Sequence, residues 1–243
     1  MTSYRTRSQA LWMNLSPITA ILVPQGAEYR AVCRGLRAAK APYPPVWPLP
    51  IGGAAVQQCL ATLPLPKAGG ILVMGLCGSL HPALSVGRAV LYNACCRSGQ
   101  PTSLLDCDPT LTGWIQTQLP EIDASVLACT SDRVICTVQE KVHLAQTTGA
   151  AVVDMEGWAI LQALSAQGRA LAMVRVVSDG CQAAIPDLSA AISPGGEVIA
   201  PALAIALLRQ PLAGIRLVQG SLRGLQQLQR LSTQLFCSSV SYS

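Results

Sequence analysis

Short apolar runs and helix-period stretches alternate along most of the chain. ITAILVP (18–24) is a continuous apolar run that predicts a buried strand, and a helical pattern follows from Ala27 to about Arg37. GAAVQQCLATL (53–63) predicts a helix, GGILVMGLCGSL (69–80) a strand running into a glycine-containing turn, and VGRAVLYNA (86–94) a further strand. The pattern then gives a helix over 109–119, a strand over 123–130, a helix over 138–148 and a strand over AAVVDME (150–156). A helix over 157–167 leads to the strand RALAMVRVVSD (169–179), and two helical patterns close the chain at roughly 196–208 and 213–235. APYPPVWPLPIGG (41–53) holds too many prolines for the middle of a sheet and is expected as a loop or an edge.

Several of these strands are unbroken apolar runs rather than alternating ones, which suits a sheet covered on both faces by helices. No internal repeat and no dividing linker is visible. The expected organisation is a loose leader over 1–16, within which Met13 is an alternative start, and one domain over 17–243.

Composition narrows the classes. Hydrophobic residues make up 51% of the 243 positions and charged residues 12%, which excludes disorder and favours a homo-oligomer that covers leftover apolar surface. The net charge of +5 comes from scattered Arg with only three Lys, without the basic stripe expected of a nucleic-acid binder. Ten Cys occur without a CxxC, and His81 and His143 stand far apart, so no metal site is expected and the thiols read as small buried hydrophobes of a cytoplasmic protein. The longest apolar run, Val198 to Leu208, falls short of the ~20 residues a membrane span needs. In the last helical pattern Leu222, Leu225, Leu228 and Leu231 form a stripe while Arg216, Arg223 and Arg230 recur every seven residues. That suits either a membrane-surface face or, more commonly, a terminal helix packed on the sheet.

The candidate chemistry lies at strand ends. Glu156 follows one apolar strand and Asp179 the next, with a helix of about ten residues between them. Read as a βαβ unit, this places both carboxylates at the carboxyl edge of a parallel pair, where open α/β sheets bind ligands. The plainer alternative is that each acid caps the following helix. Glu28, Gly75 and Gly78, and Ser131 with Asp132, follow other strands, which suggests one composite site.

ILVMGLCGSLHPALSVG, VVDMEGWAILQAL and VRVVSD resemble, in order and spacing, three signatures of the purine nucleoside phosphorylase/methylthioadenosine nucleosidase superfamily, over roughly residues 18–208. The resemblance implies an α/β fold: a single three-layer domain with a central mixed, largely parallel sheet flanked by helices. It also implies cleavage of the N-glycosidic bond of a purine nucleoside through an oxocarbenium-like transition state. Asp179 matches the acid that protonates the leaving base, and Glu156 the carboxylate that holds the ribose hydroxyls, with Met155 on the sugar face. Ser178 and the turn Gly75-Leu76-Cys77-Gly78 match elements bordering the base and an anion or water site.

Two residues compete over the nucleophile. Glu28 matches the water-polarising Glu of the nucleosidases, whereas Arg30 stands near the phosphate-binding Arg of hexameric phosphorylases and, with Arg133, would frame a phosphate. Both also fit an exposed first helical turn. No cofactor is implied beyond inorganic phosphate as a co-substrate. The sequence departs from the pattern at Arg88, where the usual VGD reads VGR, and in a base loop that offers only Asp187. Trp158 either narrows the pocket or packs in the core. The overall pattern is similar to the hopanoid-associated branch, whose members are linked to adenosyl-lipid cleavage. A methylthioadenosine/S-adenosylhomocysteine nucleosidase and a non-catalytic nucleoside-binding member are the other readings.

Overall fold

A computed structural model describes residues 16–122 and 125–237. The first apolar run becomes β1 (Ile18–Pro24), buried at every position because it is paired on both edges and covered on both faces. Its parallel partners are β2 (Val46–Leu49) and β3 (Gly70–Ser79). The proline-rich segment thus supplies an edge strand, the place where Pro48 is tolerated. The remaining strands are β4 (Ala89–Arg97), β5 (Gln100–Asp106), β6 (Ser125–Thr130), β7 (Val152–Asp154) and β8 (Leu171–Asp179). The hairpin strand β5 escapes the hydrophobic pattern because nearly all of QPTSLLD is exposed or half-exposed.

Pairing closes five strands into a ring. β3 runs parallel to β8, β8 antiparallel to β4, β4 parallel to β6, and β6 parallel to β7. β7 then returns antiparallel to the end of β3, at Gly78 and Ser79. This overturns the expected βαβ unit: β7 and β8 are not neighbours and run in opposite senses. Their acids still converge, because ring closure brings β7 across the ends of β3 and β8.

The helices are α1 (Ala27–Ala38), α2 (Gly53–Thr62), α3 (Pro109–Gln118), α4 (Val138–Thr148), α5 (Gly157–Ser165), α6 (Ala200–Arg209) and α7 (Pro211–Cys237). Residue parity sorts the sheet into two faces. Leu72, Met74, Val174 and Val176 pack under α1, α3 and α7, while Ile71, Val73, Met173 and Val177 pack under α2 and α5. Each such side chain contributes about 1.5–3 kcal/mol on burial. Trp158 lies in the second cluster as a core residue, 8% exposed.

The four-leucine stripe of α7 divides. Leu228 and Leu231 are buried, Leu225 is half-buried, and Leu222 is exposed. Close approach of α7 depends on glycine: a Cβ on Gly220 would lie 2.0 Å from the Ser178 carbonyl oxygen, and one on Gly224 2.6 Å from Leu76 Cδ2. Apart from Ser16, the expected leader lies outside the described residues. Among the described residues, no helix is long and apolar enough to cross a membrane.

Candidate active site

A cleft of about 670 Å³, mouth included, opens where the ends of β1, β3 and β8 meet β7. β3 does not turn at Gly75, as the sequence suggests, but stays extended to Ser79. A bulge shapes the cleft floor: Cys77 pairs with Val177 and Gly78 with Asp179, leaving Ser178 as the extra residue. Such a bulge re-aims the side chains around it. Gly78 makes room for the result, since a Cβ there would come 3.0 Å from Asp179 Oδ2.

Asp179 is held by a partner the sequence does not reveal. Lys141 Nζ donates to Asp179 Oδ2 at 2.5 Å and to the carbonyls of Gly180 at 2.9 Å and Ala183 at 3.1 Å. All three ammonium protons are thereby used, and the Lys141 side chain is fully buried. Ser178 Oγ lies 3.0 Å from Asp179 Oδ1 and 3.2 Å from the Cys77 carbonyl, so its one proton serves either acceptor. Lys141 is placed by a capping box at the start of α4. Thr137 Oγ1 accepts from the Glu140 N–H, and Glu140 Oε2 accepts from the Thr137 N–H. Those bonds, with Arg133, pull the Glu140 carboxyl down to about 2.

The opposite wall gathers three carboxyls around one buried guanidinium. Arg175 lies on β8 between Met173 and Val177 in the apolar parity and crosses directly over Gly75, its register partner. Its Nη2 is 3.3 Å from Asp154 Oδ2 and 3.9 Å from Glu156 Oε2. These are charge contacts without aligned hydrogen bonds, since no guanidinium nitrogen meets hydrogen-bond geometry. Glu28, at the start of α1, accepts from the Leu76 N–H at 3.1 Å, and Glu156 from the Gly52 N–H at 2.9 Å.

Burial pushes the Glu28 carboxyl up to about 7; Arg175 opposes the rise and Glu156 adds to it. Glu156 is likewise raised to about 7 by burial, against Arg175 and with Asp154 adding to the rise. Asp154 braces the turn into α5. Its Oδ1 accepts from Thr130 Oγ1 at 2.7 Å and from the Gly157 N–H at 3.1 Å, while Thr130 Oγ1 accepts from the Trp158 N–H at 2.7 Å.

The cleft brings together Glu28, Met155, Glu156, Cys77, Gly78, Ser178 and Asp179. Other candidates fall elsewhere. Gly75 is no anion-binding turn but the gap that admits Arg175 and Glu28, with a Cβ there only 2.1 Å from Arg175 Nη1. Arg30 is exposed on α1 and outside the cleft lining. Arg133 lines the cleft but is paired with Glu140 at 2.5 Å, and exposed Asp132 pairs with Arg97 at 3.0 Å. Ser131 is buried and accepts from the Arg133 N–H. Asp187 is spent on Ser189, and Arg88 lies exposed away from the cleft, so the VGR departure leaves the lining untouched.

Sequence reasoning missed Asp154, Lys141 and Arg175. A lone Arg inside AMVRVVSD was the one available signal; Lys141 gave none beyond its helical spacing to Leu144.

A second, wider space of about 1100 Å³, its opening to solvent included, continues from the first, sharing Ile51, Arg133, Val134 and Met155 with it. The start of α2, the Ser189–Pro194 segment and the Arg97–Asp132 pair complete its walls.

Comparisons with known proteins place this geometry. The model of the Phosphorylase superfamily matches residues 28–191. No curated protein sequence matches the chain. Among solved structures, the 5′-methylthioadenosine/S-adenosylhomocysteine nucleosidase of Helicobacter pylori is similar, with a TM-score of 0.64 at 15% identity over 91% of this chain and 96% of that one. The futalosine hydrolase of the same organism gives 0.65 at 15% identity over 91% and 96%. A putative nucleosidase of that first type from Francisella philomiragia gives 0.65 at 13% identity over 89% and 96%. The family match spans most of the cleft-forming chain and the solved structures share its fold; the chain belongs to the phosphorylase superfamily, whose enzymes act on N-glycosyl bonds.

Proposed function

We propose that the protein hydrolyses the N-glycosidic bond of an adenine-type nucleoside carrying an apolar 5′ substituent. The observation that carries this reading is the pairing of unlike acid sites across one cleft. Asp179 stands against Lys141, and Glu28 and Glu156, both raised to about 7, stand around Arg175. Unlike environments for neighbouring acids are the mark of divided acid and base roles.

Asp179, entering the step as the neutral acid, gives its proton to N7 of the leaving base and ends as the carboxylate, which Lys141 Nζ holds in an ion pair. Glu156 accepts from the ribose hydroxyls and favours positive charge at C1′. Glu28, ionising near neutrality, takes a proton from the water that attacks C1′.

Water is favoured over phosphate because Glu28, Asp154 and Glu156 outnumber the single cation Arg175 on that wall. Arg30 is exposed outside the cleft lining and Arg133 is engaged with Glu140. The reading requires no cofactor or metal. An apolar 5′ group would pack on Ile51, Val134, Met155 and Ile192 in the second space, whose walls also carry Arg97, Asp132 and Arg133. An adenosyl-lipid of the hopanoid type is the substrate we favour, which would make the protein a cytoplasmic homo-oligomer of that branch. Ten unpaired cysteines suit a reducing compartment.

The test is adenine release from adenosine, methylthioadenosine, S-adenosylhomocysteine and adenosyl-hopane, each with and without phosphate. Phosphate-independent release that Glu28→Gln lowers at least 100-fold is expected. Strict phosphate dependence would overturn hydrolysis, and binding without release would make the protein a nucleoside-binding member.

A further inference from the structure

α6 buries none of its residues, and the start of α7 continues the same exposed apolar surface. Ile205, Leu208, Leu212, Ile215, Val218 and Leu222 are between 44% and 79% exposed, and a groove between the two helices is lined almost wholly by apolar side chains. At about 100° per residue, the four of these on α7 fall within a sector of about 120°. Arg216, Arg223 and Arg230 form an exposed row along one flank of that sector, and Arg209 stands exposed in the last turn of α6. The orientation is fixed, because the opposite side of α7 presses Gly220 on the Ser178 carbonyl and buries Leu228 and Leu231.

Charge decides what covers this face. From residue 198 to the end the chain holds four Arg, no Lys, no Asp and no Glu. None of the four arginines joins an ion pair among the described residues. A second copy docked across a two-fold axis would bring four more arginines and no acid from this segment. An anionic lipid surface answers both features at once, taking the apolar row into its acyl boundary and the guanidiniums among its headgroups. We propose that the α6–α7 face docks the protein on an anionic membrane surface. The face adjoins the substrate cleft: Ile192 and Val198 bridge the segment that walls the second space to the start of α6. The inference does not depend on the proposed reaction.

The experiment is co-flotation of the full chain with vesicles of phosphatidylcholine alone or mixed equally with phosphatidylglycerol, at low and high salt. Binding is expected to the mixed vesicles at low salt, and weakly or not at all to phosphatidylcholine. The exposed substitutions Arg209→Gln, Arg216→Gln and Arg223→Gln together should lower partitioning roughly 100-fold, at about fivefold each. Leu208→Ser with Leu212→Ser should lower it at least tenfold, with far-ultraviolet circular dichroism unchanged. No binding to mixed vesicles, or equal binding by the variants, would overturn the proposal. So would a dimer seen by light scattering that falls apart in the Leu208→Ser, Leu212→Ser protein while vesicles bind neither form, since the face would then belong to a second copy.

Discussion

Replacing Lys141 by Met tests whether the acid side of the cleft depends on a buried charge. The substitution keeps the length and most of the apolar stem but removes the ammonium that serves Asp179 Oδ2 and the carbonyls of Gly180 and Ala183. Removing one member of a buried pair costs about 3–5 kcal/mol. Here the Asp179 side chain is 11% exposed and faces an open cleft, so water recovers part of its solvation. About 3 kcal/mol is therefore the expected loss, with the two abandoned carbonyls contributing part of it. At roughly 2–4 °C per kcal/mol for a domain of this size, Tm should fall by about 6–12 °C. Urea titration at pH 7 measures the loss directly. Adding Asp179→Asn to Lys141→Met removes the stranded charge, so the double variant should be the more stable of the two. A loss below about 1 kcal/mol for Lys141→Met would refute the reasoning. A double variant no more stable than the single one would show that the charge itself is not what the lysine answers.

Gly75→Ala should lower activity and stability together, since its Cβ would lie 2.1 Å from Arg175 Nη1 and 2.8 Å from Glu28 Oε2. A cost of about 1–3 kcal/mol is expected by chemical denaturation. Gly220→Ala should cost at least as much, because the obstruction is the Ser178 backbone and α7 must lift from the site; Gly113→Ala, which meets nothing within 4 Å, serves as the control in the same assay. For pH, Glu28 and Glu156 are raised from 4.5 to about 7, so the folded state binds their protons more tightly than the unfolded chain does. Their contribution is fully present below about 4.5 and is lost as pH rises through about 7, so Tm should fall across that window and the fall should flatten in Glu28→Gln.

The elements with continuous apolar patterning were legible from the chain alone, and β1, α2 and α4 stand within a residue of their expected bounds. The strands missed or misjudged lack a local signature. β5 hides because its exposed side chains carry no apolar period, whereas the proline-rich segment, expected as a loop or an edge, is the edge strand β2. The parallel β7–β8 pair was a reasonable inference from strand, helix, strand. It fails because β7 has only three residues and is captured by β6 and the end of β3, a long-range choice that no local pattern contains.

The site divides along the same line. Glu28, Glu156 and Asp179 were visible because strand ends are where a sheet exposes chemistry, and a motif fixes their order. Their electrostatic setting was not visible, because it depends on which side chains reach across from other elements. Lys141 comes to Asp179 from α4, across 38 positions of sequence, with a helix face as its sole local signature. Arg175 is one polar letter in an apolar strand, yet its parity aims it inward, and only the missing side chain of Gly75 lets it lie there. A glycine taken from sequence as a turn or an anion cradle is thus a packing vacancy cut to the shape of a guanidinium. That inversion changes the chemistry expected of the cleft. Backbone N–H groups free at a turn would have favoured phosphate, whereas an extended β3 commits its Leu76 N–H to Glu28 and leaves the wall rich in carboxyls. The same residue that fails as an anion site therefore supports water as the nucleophile.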